Sequence, residues 1–233
     1  MTDDILTFPF AASASRTRPL MGVTVMLVDD SRFASDAVRL LCQRSGARIR
    51  RADCLTSARR HLQVYQPTVA IVDIGLPDGS GAALIAELAA ARPRVPVILG
   101  TSGDDGARDD VMAAGADGFL AKPVESIAQF QALILSLLDD PDRGQPHAPT
   151  QDRVTPDPIA LRDDLRHAAQ VLREGADDAR VRYVAQFTGG LARSAGDLSL
   201  ARAAQSLGQG ADPGVVSGLF DALSDSLNEA SPV

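Results

Sequence analysis

The sequence predicts an α/β domain with a doubly wound, five-stranded parallel sheet, followed by a small all-α bundle. Two observations support this prediction. Between residues 22 and 140, short apolar runs alternate with helical stretches, a pattern typical of a parallel sheet covered by helices on both faces. Beyond residue 158, apolar residues recur only at helical spacing, which indicates a helical bundle.

Five apolar runs are predicted to form the strands of the first domain. Most of them are rich in Val and Ile, which favour buried strands. The second run is more polar, as is typical of a strand at the edge of a sheet. Pro96 lies at the start of the fourth, where a proline is tolerated. The runs are residues 23–28, 48–51, 69–73, 95–99 and 118–121.

A helical stretch follows each of the five predicted strands. Ser31 is placed to cap the first helix, because a serine hydroxyl can accept a hydrogen bond from the first turn. Ser45-Gly46 ends the same helix, and Gly115 ends the fourth. The predicted helices span residues 32–44, 55–65, 81–91, 105–114 and 125–138.

Breaks in this pattern divide the chain into four parts. Residues 1–21 contain two prolines and are predicted to be a flexible tail. The first domain spans residues 22–140. Residues 141–158 contain five prolines, which indicates a linker. Residues 159–233 then show four helical repeats of apolar residues, so we expect a bundle of about four helices.

Composition excludes several classes of protein. Hydrophobic residues make up 45% and charged residues 23% of the chain, which is typical of a globular protein with a sizeable core. No apolar run approaches the ~20 residues that span a bilayer, and the first residues lack the features of a signal peptide. Two cysteines, Cys42 and Cys54, cannot form a disulfide framework. We therefore expect a cytoplasmic protein that does not bind membranes.

Charge argues against binding to nucleic acid. The net charge is -7. Residues 151–233 contain 12 acidic and 8 basic residues, with no lysine and no cluster of basic and aromatic side chains. Because DNA binding depends on clustered cations that contact phosphates, we expect no nucleic-acid partner.

Polar side chains follow the ends of the predicted strands. Asp29 and Asp30 come after the first strand, Asp73 ends the third, Thr101 follows the fourth and Lys122 follows the fifth. The carboxyl ends of parallel strands meet at one edge of a sheet. Three carboxylates repel one another unless a cation joins them, and hard oxygen ligands suit Mg²⁺. The sequence therefore predicts a magnesium site where an ammonium and a hydroxyl can receive a phosphoryl group.

Lys122 is the only lysine among 23 basic residues. Arginine is a wide planar fork, whereas lysine is a compact charge on a thin stem. In a chain that otherwise uses arginine throughout, the lysine raises the question of what an arginine could not do at this position.

Four segments resemble the receiver domain of two-component response regulators, in order and in spacing over residues 22–140. This resemblance implies a flavodoxin-like fold and a phosphorelay in which a sensor histidine kinase or a phosphotransfer protein is the partner. The segments are Leu-Val-Asp-Asp-Ser (27–31), Val-Asp-Ile-Gly-Leu-Pro-Asp-Gly-Ser-Gly (72–81), Pro-Val-Ile-Leu-Gly-Thr-Ser (96–102) and Gly-Ala-Asp-Gly-Phe-Leu-Ala-Lys-Pro (115–123).

The resemblance also implies a role for each site residue. Asp73 would accept the phosphoryl group from a phosphohistidine or a small acyl phosphate. Thr101 and Lys122 would contact the phosphoryl oxygens, and Thr101 would act with Phe119 as a switch. The implied ligands of Mg²⁺ are Asp29, Asp30, Asp73 and the backbone carbonyl of Gly75. The sequence departs from the common pattern at Gly75, which has no side chain to shield or orient an attacking water.

The predicted bundle carries a second, fainter resemblance. Residues 185–196, followed by Leu200, resemble the signature helix of histidine phosphotransfer domains. Gln186 stands at the position of the histidine and Gly189 at that of the lysine. Because an amide is not a nucleophile that carries phosphate, the bundle would dock on another receiver or a kinase without relaying phosphate.

Two alternatives remain open from the sequence. The chain could be a phosphate sink or a dimerising adaptor, with the bundle serving self-association. It could also be a phosphatase with an aspartate nucleophile, but those enzymes place a second acid where this chain has Gly75. We therefore expect no turnover of an external substrate. The sequence does not indicate whether phosphorylation releases the bundle or locks it.

Overall fold

The computed structural model describes residues 18–104, 106–138, 152–175, 177–209, 218–219 and 222–223. Most of the predicted tail, the predicted linker up to residue 151 and most of the last predicted helix lie outside these residues. None of the helices within the described ranges is long and apolar enough to cross a membrane.

The first domain contains a five-stranded parallel sheet in the order β2–β1–β3–β6–β7. This confirms the predicted doubly wound sheet. The chain reverses its direction of winding between β1 and β3, so a crevice opens beyond the carboxyl ends of these strands. The strands are β1 (Thr24–Val28), β2 (Arg48–Ala52), β3 (Val69–Asp73), β4 (Gly75–Leu76), β5 (Gly79–Ser80), β6 (Val97–Ser102) and β7 (Gly118–Ala121), of which β4 and β5 form a separate short hairpin.

Five helices cover the two faces of this sheet. As predicted, Ser31 caps the first helix, because its side chain accepts a hydrogen bond from the amide of Ala34. Gly46 ends that helix at φ 86°, in the left-handed region that favours glycine. The helices are α1 (Arg32–Ser45), α2 (Leu55–Leu62), α3 (Gly81–Ala90), α4 (Ala107–Ala113) and α5 (Ile127–Leu137).

Alternation along the central strands sorts the core into two apolar layers. Val25 and Leu27 of β1 face α1 and α5, where they meet Leu41 and other buried residues. Met26 and Val28 face α2, α3 and α4. Both layers are buried because helices cover both faces.

The C-terminal residues form the predicted helical bundle. Its helices are α6 (Pro158–Arg173), α7 (Asp178–Ala195) and α8 (Leu198–Gln209). Asp157 caps α6, and Gly196 ends α7 at φ 75°. Leu219 and Leu223, from the described part of the last segment, pack into the same apolar core.

The packed part of the first domain extends beyond its predicted bounds of 22–140. Leu20, within the predicted tail, is fully buried in the core. Val154, within the predicted linker, is 2% exposed in that core, and its amide donates to the carbonyl of Glu125. The amide of Ile127 donates to the carbonyl of Asp152. A local excess of prolines predicted a linker, but this backbone pairing holds residues 152–154 against α5.

The bundle packs against the first domain beside the carboxyl end of β1. Helix α6 lies along α1, and α7 also contacts the β4 hairpin. Phe33 of α1 is buried in the apolar core of the bundle, not in that of its own domain. The crevice at the end of the sheet therefore lies between the two domains.

Candidate functional site

Three carboxylates meet in this crevice, as the sequence predicts. Asp29 and Asp30 follow β1, and Asp73 ends the neighbouring β3, whose register pairs Val28 with Val72. One oxygen from each carboxylate lies within 4.8 Å of the others. Asp29 is fully buried and Asp73 is nearly so.

Lys122 reaches the same cluster from the end of β7. Its Nζ lies 2.8 Å from Oδ2 of Asp29 and 3.1 Å from Oδ2 of Asp73, and its side chain is 9% exposed. Burial opposes the charge of Lys122, but the two carboxylates outweigh burial and raise the pKa of the ammonium. The space between the two carboxylates holds the compact ammonium of a lysine, which is narrower than a guanidinium.

The loop that carries the two aspartates is fixed from two sides. Oδ1 of Asp29 accepts a hydrogen bond from the amide of Ser31 at 3.0 Å. The guanidinium of Arg51, at the end of β2, donates to the carbonyl of Asp29 at 3.1 Å and to that of Asp30 at 2.9 Å. Arg51 was not predicted as a site residue, because a polar edge strand gives no sign of which of its arginines turns inward.

Only one of the two carboxylate oxygens of Asp30 has a hydrogen-bond partner among the described residues. Oδ2 accepts a hydrogen bond from the hydroxyl of Tyr183 on α7 at 2.6 Å. Oδ1 is buried and has no hydrogen-bond partner among the residues that the structure describes. Burial, with Asp29 beside it, raises the pKa of Asp30 to about 7. Burial and the carboxylate of Asp30 also raise the pKa of Tyr183, which keeps the phenol protonated as the donor.

Asp73 is held by close packing beneath it. A Cβ on Gly81 would overlap the carbonyl oxygen of Asp73, so only glycine fits at the start of α3. Burial raises the pKa of Asp73 to about 6, although Lys122 opposes the shift. Its carboxylate lines the crevice.

The two predicted switch residues lie on the neighbouring strands β6 and β7. The hydroxyl of Thr101 is buried and donates to the carbonyl of Leu120 at 2.6 Å. The ring of Phe119 is buried against α4, and the guanidinium of Arg108 lies 5.3 Å from its centroid. Thr101 is therefore placed near the cluster with its hydroxyl bonded to the next strand.

The chemistry of the cluster fits a hard divalent cation. Three carboxylates converge, and Oδ1 of Asp30 is a buried oxygen that lacks a partner among the described residues. Oxygen ligands of this kind suit Mg²⁺, which is held by one or two carboxylates and keeps room for water or phosphate. Gly75, the predicted backbone ligand, begins β4 and lines the same cavity.

Helix α7 covers the open side of this cavity, whose volume is about 40 Å³. Gln186, the predicted pseudo-phosphotransfer position, points at Gly75: a Cβ built on Gly75 would lie 2.6 Å from Nε2 of Gln186. On the side of the first domain the cavity is lined by Asp30, Asp73, Gly75 and Lys122, and on the side of α7 by Gln186, Phe187, Gly190 and Arg193.

A buried carboxylate of α6 anchors the bundle next to the site. Asp164 is 3% exposed and accepts hydrogen bonds from the hydroxyl of Ser31 at 2.8 Å and from the amides of Arg32 and Phe33 at 3.1 and 3.0 Å. Burial raises the pKa of Asp164, although these three donors oppose the shift. Neither Asp164 nor Tyr183 was predicted from the sequence, because polar residues of an amphipathic helix are ordinarily expected to face solvent.

Comparison with known proteins places this geometry in a family. Residues 25–134 match the family model of the response regulator receiver domain. This segment is a receiver domain. Its doubly wound sheet, with an acidic cluster at the carboxyl ends of the strands, is the flavodoxin-like fold that the resemblance implied.

Curated relatives are similar to part of the chain. The virulence transcriptional regulatory protein PhoP of Salmonella typhimurium is 32% identical over 115 residues, 47% of this chain and 51% of that protein. The transcriptional regulatory protein PhoP of Escherichia coli O157:H7 is 30% identical over 114 residues, with the same coverage of both chains. The chain therefore spans about half the length of these relatives.

Solved structures similar to this chain include other receiver proteins. A putative response regulator from Chloroflexus aurantiacus is 26% identical, with a TM-score of 0.48, over 51% of this chain and 98% of that one. The chemotaxis response regulator CheY4 of Vibrio cholerae is 22% identical, with a TM-score of 0.46, over 50% of this chain and 98% of that one.

Proposed function

We propose that the chain is a response regulator that accepts a phosphoryl group on Asp73 and signals through protein contacts of its C-terminal helices. The strongest support is the position of Lys122, whose ammonium bridges Asp29 and Asp73 beside the unpartnered oxygen of Asp30. A fixed cation beside the carboxylate of Asp73 lowers the cost of bringing a phosphoryl group to one of its oxygens.

In the proposed reaction, a carboxylate oxygen of Asp73 attacks phosphorus in line with the leaving group. The bond from phosphorus to the nitrogen of a phosphohistidine, or to the oxygen of an acyl phosphate, breaks as the new bond forms, and its electron pair stays with the donor. Lys122 neutralises charge on a phosphoryl oxygen. When bound by Asp29, Asp30, Asp73 and the carbonyl of Gly75, Mg²⁺ supplies further charge neutralisation.

Thr101 and Phe119 would transmit the event. The hydroxyl of Thr101 donates to the carbonyl of Leu120 and would exchange that acceptor for a phosphoryl oxygen. Phe119 is the residue directly before Leu120 on β7, so this exchange would be felt where the ring packs against α4. The phosphoryl group thus biases an equilibrium between two arrangements of β6 and β7.

The proposed phosphodonor is a sensor histidine kinase or a phosphotransfer protein. The C-terminal helices would bind a receiver or a kinase without carrying phosphate, since Gln186 provides an amide. The curated relatives are named transcriptional regulators, but the acidic C-terminal residues favour protein contacts over DNA. Gly75 offers no acid to protonate a leaving group, so we propose no turnover of an external phosphate ester.

Mass spectrometry of the intact protein tests this proposal. The full chain is incubated with Mg²⁺ and acetyl phosphate beside Asp73→Asn and a matched control, Asp53→Asn, which changes an exposed aspartate directly after β2. We expect one added phosphoryl group on the wild type and on the control, and none on Asp73→Asn. Equal labelling of Asp73→Asn would refute the assignment of the acceptor.

A further inference from the structure

We propose that Arg193 and Gln186 of α7 complete the phosphoryl site from the C-terminal domain, so that a phosphoryl group on Asp73 tightens the docking of α7 on the receiver domain. This inference rests on the proposed function of Asp73. It concerns two residues outside the receiver domain, and it assigns a direction to the coupling that the sequence leaves open.

Arg193 is a cation without a partner at the edge of the acceptor cavity. Its guanidinium forms no hydrogen bond or ion pair with any residue in the described ranges. It lines the same cavity as Asp73 and Lys122, and its Nη2 lies 3.0 Å from the position of a Cβ on Gly103. Five unused donors in a planar fork favour an anion with several oxygens, such as a phosphoryl group.

Gln186 occupies the space that a side chain at position 75 would take. Because a Cβ on Gly75 would lie 2.6 Å from Nε2 and 2.7 Å from Cδ of Gln186, the carboxamide stands over the residue two positions after Asp73. The receiver domain lacks a polar side chain there, and α7 supplies one. An amide in this position can donate to a phosphoryl oxygen on Asp73.

The cavity between the domains leaves room for the added group. Its volume is about 40 Å³, and a Cβ on Gly190 of α7 would meet no atom within 4 Å. The side of α7 that carries Gly190 therefore leaves open space for the added group.

The charges on the two sides of the cavity are complementary to that group. Helix α7 brings a guanidinium and an amide to the cavity, and no carboxylate. Ser194 also lines the cavity, but its hydroxyl donates to the carbonyl of Gly190 at 3.0 Å. The nearby carboxylate of Asp164 is engaged by three donors at the start of α1. Asp104 also lines the cavity from the receiver side, where its Oδ1 accepts the amide of Gly106. New acceptor oxygens on Asp73 would thus meet donors on α7.

Docking has its own readout in the full chain. The amides of Arg32 and Phe33 donate to Asp164 across the domain interface. Since both lie in the first turn of α1, they have no acceptor within that helix. Their hydrogen exchange therefore slows when the C-terminal helices dock and quickens when they leave.

The test uses the full chain with Mg²⁺ and beryllium fluoride as the probe for a phosphoryl group on Asp73. Affinity is measured by calorimetry for the wild type, Arg193→Gln and Arg202→Gln, the last being an exposed arginine of α8. We expect Arg193→Gln to weaken binding about tenfold, the effect of one charge-assisted hydrogen bond, and Arg202→Gln to change it less than about twofold. The probe should also slow exchange at Arg32 and Phe33 in the wild type.

A second variant separates loss of a phosphoryl contact from a structural effect of Arg193→Gln. Gln186→Glu keeps the shape of the side chain but turns a donor into a carboxylate, so it should weaken probe binding as well. Unchanged affinity in Arg193→Gln, or faster exchange at Arg32 on adding the probe, would overturn the inference while leaving the acceptor role of Asp73 intact. If the wild type neither binds the probe nor takes up phosphate, the proposed function itself fails.

Discussion

Removing the carboxylate of Asp164 should detach the C-terminal helices from the receiver domain. In Asp164→Ala, three charge-assisted hydrogen bonds of 2.8 to 3.1 Å are lost at a position that is 3% exposed. At about 1.5 kcal/mol each, the lower end for hydrogen bonds to a charged group, they contribute about 4.5 kcal/mol. The cost of burying the charge, which raises the pKa of Asp164, offsets part of this. We therefore expect the free energy of unfolding to fall by about 3 kcal/mol.

Asp163→Ala is the matched control, one residue away on the same helix. Asp163 forms ion pairs with Arg32 at 3.1 Å and Arg166 at 3.6 Å, and all three side chains are more than a third exposed. Exposed ion pairs stabilise a protein by about 0–1 kcal/mol. Urea unfolding of both variants, monitored by circular dichroism, gives the two free energies from their midpoints and slopes.

Hydrogen exchange separates loss of docking from general loss of stability. If Asp164 anchors the bundle, the amides of Arg32 and Phe33 lose protection in Asp164→Ala, while amides of the central strand β3 change far less. A free energy of unfolding for Asp164→Ala equal to that of Asp163→Ala would refute the reasoning. So would unchanged protection of Arg32 and Phe33.

Three further predictions follow from the site. Lys122→Arg should slow labelling by acetyl phosphate at least tenfold, because the space between Asp29 and Asp73 fits an ammonium but not a wider guanidinium. Mass spectrometry of samples taken over time checks this. Tyr183→Phe should raise the Kd for Mg²⁺ several-fold, as measured by calorimetry. The hydrogen bond that the variant removes stabilises the charged form of Asp30. Burial raises the pKa of Asp30 to about 7 and of Asp73 to about 6, so the folded chain binds more protons than the unfolded chain between about pH 4 and 7. The melting temperature without Mg²⁺ should therefore fall as the pH rises through this window, and added Mg²⁺ should restore it at pH 8; a flat or rising profile would contradict this.

The edge of the sheet could be predicted because its determinants are local. The central strands β1, β3 and β6 are apolar runs rich in Val and Ile with a polar residue at or directly after the end. Because the strands are parallel, these ends meet at one edge of the sheet. The cluster of Asp29, Asp30 and Asp73 thus follows from strand ends alone. Lys122 could be singled out for a different reason, because it is the only lysine among 23 basic residues.

The contacts between the domains could not be predicted in this way. Asp164 and Asp163 are adjacent aspartates on an amphipathic helix, and only the docked geometry distinguishes the buried anchor from its exposed neighbour. Tyr183 bonds to Asp30 across 153 positions of sequence. No period or spacing encodes such a pair, since it depends on how two separately packed units meet. Arg51 is missed for the same reason within one domain.

The docked position of α7 bears on the resemblance of residues 185–196 to a phosphotransfer helix. In that resemblance Gln186 stands at the position of the phosphate-carrying histidine, and an amide cannot carry a phosphoryl group. In the structure, its carboxamide lies against Gly75 at the mouth of the acceptor cavity. A donor protein must bring its phosphohistidine to bonding distance of Asp73, and α7 occupies that approach. On the proposals made above, a protein donor reaches Asp73 only in chains whose C-terminal helices have left, and the phosphoryl group then favours their return through Arg193. An amide at position 186 would then suit a helix that closes over Asp73 and carries no phosphate of its own.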